Sequence, residues 1–437
     1  MSFKILSLDG GGSWALIQAK VLLDIYGNIR GHELLRKFDM AIANSGGSLV
    51  LACLCNDMYV ADICSVFEDV NSRKQVFSQL SFFDKIISKQ DRFGFLHNLF
   101  GIGPRYNTKK KLGGLIKVLS EKDHLKPGGR AIVETPMNEL PNIIGKPTLQ
   151  LLIVGFDYFR QRVSFFRSNM TSNTDVFSDK YFGMPLGHAI HCSSNAPVNY
   201  FDAAAEVKPL IFQKKPDFKQ QVYSSTTWFW DGAVSGFNNP VLGGLIEAMT
   251  NGVDPKDCCI LSIGTGTGSK AVLTDVGTST DPADVEKYQL NKNNELVNAK
   301  TSFAFKNDIG KMASSILDDP PDSATFIAYS IMDPTLTGKA KLIRINPCYS
   351  PVFNHTTKVY ELPEVYKDDM KTFKSVLDLD MDAVDSWQID LIKDLCIKFV
   401  TDSKTCLANQ LIRGDVSGKF LGYPTYKDAK DNWLNCA

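Results

Sequence analysis

The feature that most constrains this chain is a pattern used twice at its start: a short apolar strand, a turn of small residues, then an apolar helix. The first copy runs from Lys4 to Leu8, through Asp9-Gly10-Gly11-Gly12, into a helix from Trp14 to Ile25. Leu16, Val21, Leu22, Leu23 and Ile25 give that helix a broad apolar face. In the second copy Phe38 to Ala43 is the strand, Asn44 to Ser48 the turn and Leu49 to Tyr59 the helix. Parallel strands need a crossover of this kind, and it covers both faces of the sheet. The pattern therefore predicts a three-layer α/β/α fold around a central, mostly parallel sheet.

Further along, Leu151 to Phe156, Val163 to Phe166, Cys259 to Ile263 and Lys341 to Ile345 read as strands. Residues 65–125 read as helical and are dense in phenylalanine at Phe77, Phe82, Phe83, Phe93, Phe95 and Phe100. The polar run 269–298 reads as a long loop or lid, and Asp380 to Val400 as a helix with an apolar stripe. Residues 1–350 are expected to form the main domain, with 351–437 a helical extension packed on it.

Composition narrows the function by exclusion. Lys plus Arg and Asp plus Glu each number 48 in the 437 residues, so no global charge argues for a nucleic-acid partner. The ten cysteines include Cys53, Cys55, Cys258 and Cys259 inside apolar runs, which suits buried thiols in a reducing compartment. His188-x-x-His191-Cys192 lacks a second ligand cluster, so no metal is expected. A strand directly after the first residues leaves no room for a signal peptide, and no run approaches the ~20 apolar residues of a membrane span. The expectation is a soluble chain made in the cytoplasm.

Three motifs carry chemistry. Gly10-Gly11-Gly12-Ser13-Trp14-Ala15 fits G-x-G-x-x-A, a dinucleotide fingerprint, with Asp39 as its acidic residue. The same glycines at a helix start could instead aim N–H groups at a developing oxyanion. Ala43-Asn44-Ser45-Gly46-Gly47 is one substitution from G-x-S-x-G, which places a serine hydroxyl at a sharp strand-to-helix turn. Ser48, the rival nucleophile, falls inside the helix start. No histidine sits in a triad context, which leaves Asp231, in Trp228-Phe229-Trp230-Asp231-Gly232-Ala233, as the candidate base.

Taken together and in order, these blocks resemble the patatin-like phospholipases. The segment from His191 to Phe201, the Asp231-Gly232-Ala233-Val234…Asn238-Asn239-Pro240 block and Leu261-Ser262-Ile263-Gly264-Thr265-Gly266 also match that family's pattern. The resemblance implies a Ser45–Asp231 dyad without histidine, with Gly11 and Gly12, joined by Gly10, forming the oxyanion hole. It implies hydrolysis of glycerophospholipid acyl esters through an acyl-enzyme, with no cofactor. The phenylalanine-rich region near 77–100 reads as an interfacial surface or lid for transient contact with a membrane, and an activating ligand or partner is an option. Two positions depart from the pattern: Trp14 stands where the family usually has Arg or Lys, and Ala43 replaces the first elbow glycine. The alternatives are a dinucleotide-binding protein using residues 9–15, or a catalytically degenerate lipid-binding relative.

Overall fold

The computed structural model describes residues 2–77, 105–169, 183–197, 200–207, 226–267, 321–350, 352–354, 359–361, 363–401, 406–412 and 420–436. The loop expected at 269–298 and Phe82, Phe83, Phe93, Phe95 and Phe100 lie outside these residues.

An eight-stranded mixed sheet forms the centre. Its strands are β1 (Phe3–Leu8), β2 (Met40–Ala43), β3 (Gln150–Asp157), β4 (Arg162–Arg167), β5 (Ala205–Val207), β6 (Thr227–Asp231), β7 (Cys258–Ile263) and β8 (Leu342–Ile345). The run β3-β2-β1-β7-β8 is parallel, while β4, β5 and β6 join by antiparallel pairs. Two cores divide the side chains by strand alternation. Leu6, Leu8, Ala41, Ala43, Leu261 and Ile263 face one; Ile5, Met40, Ile42, Leu152, Val154 and Ile260 face the other.

Helices cover both faces, giving the expected three layers. On the first face lie α1 (Leu16–Tyr26), α2 (Ser45–Cys55), α3 (Val60–Glu68), α4 (Val70–Val76), α5 (Thr108–Glu121) and α6 (Leu186–Ser193). Val241, Leu245 and Ala248 of α7 (Val241–Thr250) cover the second, with Ala324, Ala328 and Met332. Helix α2 is apolar on every side: Val50, Leu51, Ala52, Cys53, Leu54 and Cys55 are all buried.

Three further helices follow: α8 (Met370–Leu377), α9 (Ser386–Val400) and α10 (Tyr426–Cys436). Helix α9 starts six residues later than the sequence pattern suggests. Its start is fixed by a capping box in which the Asp385 carboxylate and the Gln388 side chain satisfy first-turn backbone N–H groups. Ahead of it, Ala383 takes a left-handed φ of 33°, which ends any helix running in from Asp380. Helix α10 seats on the first layer. Trp433 stacks on Phe38 at 5.8 Å, and its Nε1 donates to the Tyr26 hydroxyl at 2.8 Å.

The parallel strands end in register. Leu8 is level with Ala43 and Ile263, Ala43 with Ile153, and Ile263 with Ile345. The turns that follow β1, β2, β7 and β8 therefore meet along one carboxyl edge, the side where open parallel sheets bind ligands.

Candidate active site

Ser45 opens helix α2 one residue beyond β2, so the helix begins at the serine itself and not four residues later. Its φ is 46°, left-handed for a side chain that gains nothing sterically from being there. A nucleophile elbow uses backbone of this kind. The neighbouring Gly46 makes the elbow possible, because a Cβ there would lie 2.5 Å from the Gly12 carbonyl oxygen. Ser48 is spoken for: it is buried in the first helical turn and its hydroxyl donates to the Ser45 carbonyl at 2.5 Å. The methyl of Ala43 is buried and packs into the first core.

Sheet pairing delivers Asp231. Strand β3 pairs along one edge with β2 through Ile153; further along that same edge it pairs with β6, with Gly155 opposite Asp231. The end of β6 is thus set just beyond the end of β2, where the elbow lies. The Ser45 hydroxyl lies near enough to the Asp231 carboxylate to favour its ionised form. Asp231 Oδ1 also accepts from the Asn44 side-chain amide at 3.1 Å and the Ala233 N–H at 2.9 Å. Burial pushes the Asp231 carboxyl above the ordinary aspartate range, against the pull of these donors and of Lys111.

Ser193, at the end of α6, ties the elbow to this pair. Its hydroxyl accepts from the Ser45 N–H at 2.9 Å and donates to the Asn44 amide oxygen at 3.3 Å. Asn44 and Ser193 were not singled out by the sequence, since a turn asparagine and a helix-end serine have no distinctive local signature.

The glycine turn lies across from the elbow. Gly10 is occupied: its N–H donates to the Asn238 carbonyl at 2.8 Å and its carbonyl accepts from Thr265 Oγ1 at 2.7 Å. The Gly10 N–H, one of three expected at an oxyanion, is thus already engaged in this structure. The N–H groups of Gly11 and Gly12 have no partner among the described residues. Behind the turn, the Arg344 guanidinium holds Asp9 Oδ2 at 2.7 Å, both side chains being buried. Burial nevertheless keeps the Asp9 carboxyl above its usual range. Asp39, the acidic residue of the dinucleotide reading, sits before β2 at the opposite edge of the sheet. It receives the Lys4 N–H at 2.9 Å and Lys146 Nζ at 2.8 Å.

A strap from beyond α8 closes the turn. Ser13 N–H donates to the Met381 carbonyl at 2.8 Å, and its hydroxyl donates to the Asp382 carbonyl. Trp14 is buried, stacks on Tyr349 at 5.5 Å and donates from Nε1 to the Asp380 carbonyl at 3.3 Å. The indole thus holds chain where the resemblance anticipates a cation. Arg105 reaches Asp380 at 2.7 Å and Asp382 at 3.3 Å, and the Tyr106 hydroxyl donates to Asp382.

Next to Ser45 is an apolar pocket walled by Leu49, Phe67, Val76, Phe77, Leu115 and Phe201. Lys111 also lines it, on the same face of α5 as Leu115, Val118 and Leu119. That lysine at an apolar-stripe position was the sequence signal for it. Among the described residues, no three His, Cys, Asp or Glu side chains converge as metal ligands, and no helix is long and apolar enough to cross a membrane.

Comparisons with known proteins bear on this geometry. The chain is similar to VipD from Legionella pneumophila, at 11% identity and a TM-score of 0.33, covering 92% of this chain and 70% of that one. It is also similar to ExoU from the type III secretion system of Pseudomonas aeruginosa, solved with SpcU. There the identity is 13% and the TM-score 0.22, over 44% of this chain and 38% of the other's length. No curated protein matches the sequence. The patatin-like phospholipase family model matches residues 6–245, more than half of the 437 residues, and spans the glycine turn, the elbow and the Asp231 strand. This chain belongs to the patatin-like phospholipase family.

Proposed function

We propose that the chain is a serine acyl hydrolase acting on fatty-acyl esters of glycerophospholipids, with Ser45 as nucleophile and Asp231 as base. The observation that carries this reading is the Ser45 hydroxyl, raised on a left-handed elbow beside the buried Asp231 carboxylate, whose ionised form it favours. No histidine is bonded to either residue among the described ones, so Asp231 must take the proton itself. Its raised pKa suits that task, because a base is most effective when its pKa approaches the working pH.

Asp231 accepts the Ser45 proton while Oγ bonds to the acyl carbonyl carbon. The carbonyl oxygen takes the negative charge, facing the Gly11 and Gly12 N–H groups and the amino end of α2. Collapse breaks the bond to the glycerol oxygen, which leaves with the proton held by Asp231. Water then attacks the acyl-enzyme carbonyl and passes a proton to Asp231. The second collapse returns that proton to Ser45 and frees the fatty acid. The apolar pocket beside Ser45 suits the acyl chain.

Contact with a lipid surface is part of the proposal. Phe77, the one described member of the phenylalanine-rich run, lines the pocket and packs on Tyr106 and Phe201. An outward apolar feature occurs instead at the β3–β4 hairpin. Tyr158 and Phe159 are 52% and 61% exposed there, Phe159 rests on Trp228 at 5.0 Å, and Arg160 lies beside them. Aromatic rings flanked by a basic residue suit the headgroup region of a bilayer.

The test uses phospholipid vesicles and a fluorophosphonate probe. Wild type should be labelled and should release fatty acid. Ser45→Ala should lose the label and fall by at least about 10⁴-fold, and Tyr158→Ser with Phe159→Ser should weaken vesicle hydrolysis but spare a soluble ester. Hydrolysis that survives in Ser45→Ala removes the catalytic assignment.

A further inference from the structure

Lys111 is buried, at 1% exposure, in the wall of the pocket that holds Ser45. A long cationic side chain ordinarily carries its charge out to water. This one stays in, although leucine or methionine would continue the α5 stripe without removing a charge from water. Its Nζ lies 3.3 Å from the His191 carbonyl oxygen and 4.3 Å from the centre of the Phe201 ring. These are weak compensations for a desolvated ammonium. Asp231 faces the reciprocal difficulty, a carboxylate buried among strand and helix backbones. The two charges attract one another, each raising the other's tendency to ionise.

We propose that Lys111 is a positioning residue for the Asp231 base: its ammonium, enclosed in the pocket behind Ser45, is the counter-charge that lets Asp231 stay ionised in a dry site. This rests on the assignment of Ser45 and Asp231 as the reacting pair. The surrounding groups leave Lys111 in that role. On α6, His188 and His191 are held neutral by burial, which lowers both, and His191 Nδ1 has no partner among the described residues. Burial keeps the Cys192 thiol protonated. On α4, Arg73 directs its guanidinium to the Val384 and Phe67 carbonyls. In the strap, Asp382 is bound by Arg105 and Tyr106, and burial raises the Tyr200 hydroxyl. Asp202 accepts the Thr108 N–H at the start of α5. Burial pulls Lys111 itself down to about 7, so its charge is present on the acid side of neutrality, where Asp231 most needs a reason not to take up a proton.

The sign of the expected effect follows. Removing the cation raises the Asp231 pKa further, so the acid limb of kcat/KM should move to higher pH. For Lys111→Met the shift should be about one pH unit, roughly a tenfold loss at the foot of the limb that shrinks towards the alkaline side. Lys111→Arg restores a permanent cation and should return the limb towards wild type. A structural role alone would lower activity at every pH, and a limb that stays in place in folded Lys111→Met overturns the proposal. A second measurement does not depend on how position 111 variants fold. In wild type and Asp231→Asn, the Lys111 ammonium is titrated by NMR of ¹³Cε-labelled lysine. Coupling is reciprocal, so loss of the carboxylate should lower the Lys111 midpoint by a comparable amount; an unchanged midpoint also overturns it. Ser45→Ala run alongside separates the two readings: if it hydrolyses lipid, the dyad assignment fails. If it is inert while the Lys111 results are negative, only the counter-charge fails.

Discussion

At the scale of single residues, the site is assembled from conflicts with local preference. Ser45 sits at positive φ, Asp231 carries a carboxylate where water is scarce, and Lys111 occupies a position its helix face reserves for apolar side chains. The raised Asp231 pKa gives a stability prediction. A carboxyl whose folded pKa lies above its unfolded value of about 3.9 destabilises the fold as pH rises through the interval between the two, and it is neutral in effect below both. Asp231→Asn should therefore raise Tm at pH 8 and lose most of that advantage on acidification towards pH 4; a gap independent of pH, read by calorimetry, would count against it. Ser45 and Asp231 were legible in the sequence because each lies in a contiguous motif with small neighbours. Asn44, Ser193 and the occupied Gly10 N–H were not, because their roles are made by contacts with residues 149, 187 or 228 positions away. The 3.1 Å and 2.8 Å geometry of such contacts has no signature in a local window.

At the scale of elements, the strap from Asp380 to Asp385 shows where pattern reading stops. Its residues tolerate a helix, and the apolar periodicity of α9 invites extending one backwards. Tertiary partners decide otherwise: Ser13 and Trp14 hold its carbonyls, Arg105 and Tyr106 hold its carboxylates, and Arg73 holds Val384. Trp14 ceases to be a lost cation once this is seen; it is the strap's anchor. Trp14→Ala removes the stack on Tyr349 and the bond to Asp380, and should cost about 3–5 kcal/mol. Hydrogen exchange at 380–385 should rise before exchange elsewhere in the sheet does. Unaltered protection there would show that the strap is held without the indole. Gly12 belongs to the same contact, since a Cβ on it would lie 2.3 Å from the Met381 carbonyl oxygen.

At the scale of the whole molecule, the parallel sheet and its two helical layers were legible from the doubled strand–turn–helix pattern, which few other architectures satisfy. Strand β4 was legible as Val163 to Phe166, but β5, β6 and the antiparallel pairing were not, although that pairing is what carries Asp231 to the elbow. These strands are short and give no sign of which edge they will join. We propose that residues 351–437 fold with the rest as one unit, in view of α10 on Phe38 and Tyr26 and of Asp24 bound by Tyr426 and Lys430. Trp433→Ala should then cost about 3–5 kcal/mol and shift the whole urea transition, monitored by fluorescence and by loss of Ser45 labelling. If labelling survives through the first of two separate transitions, the C-terminal part is an independent unit.

The left-handed backbone at Ser45 has a bearing on the history of such a chain. Glycine would occupy that φ without strain, so the substitution that would remove the proposed nucleophile is also one the fold would welcome. Selection for persistence alone would drift towards it. On the proposed reading, the serine stands there for its hydroxyl and against the chain's own conformational preference.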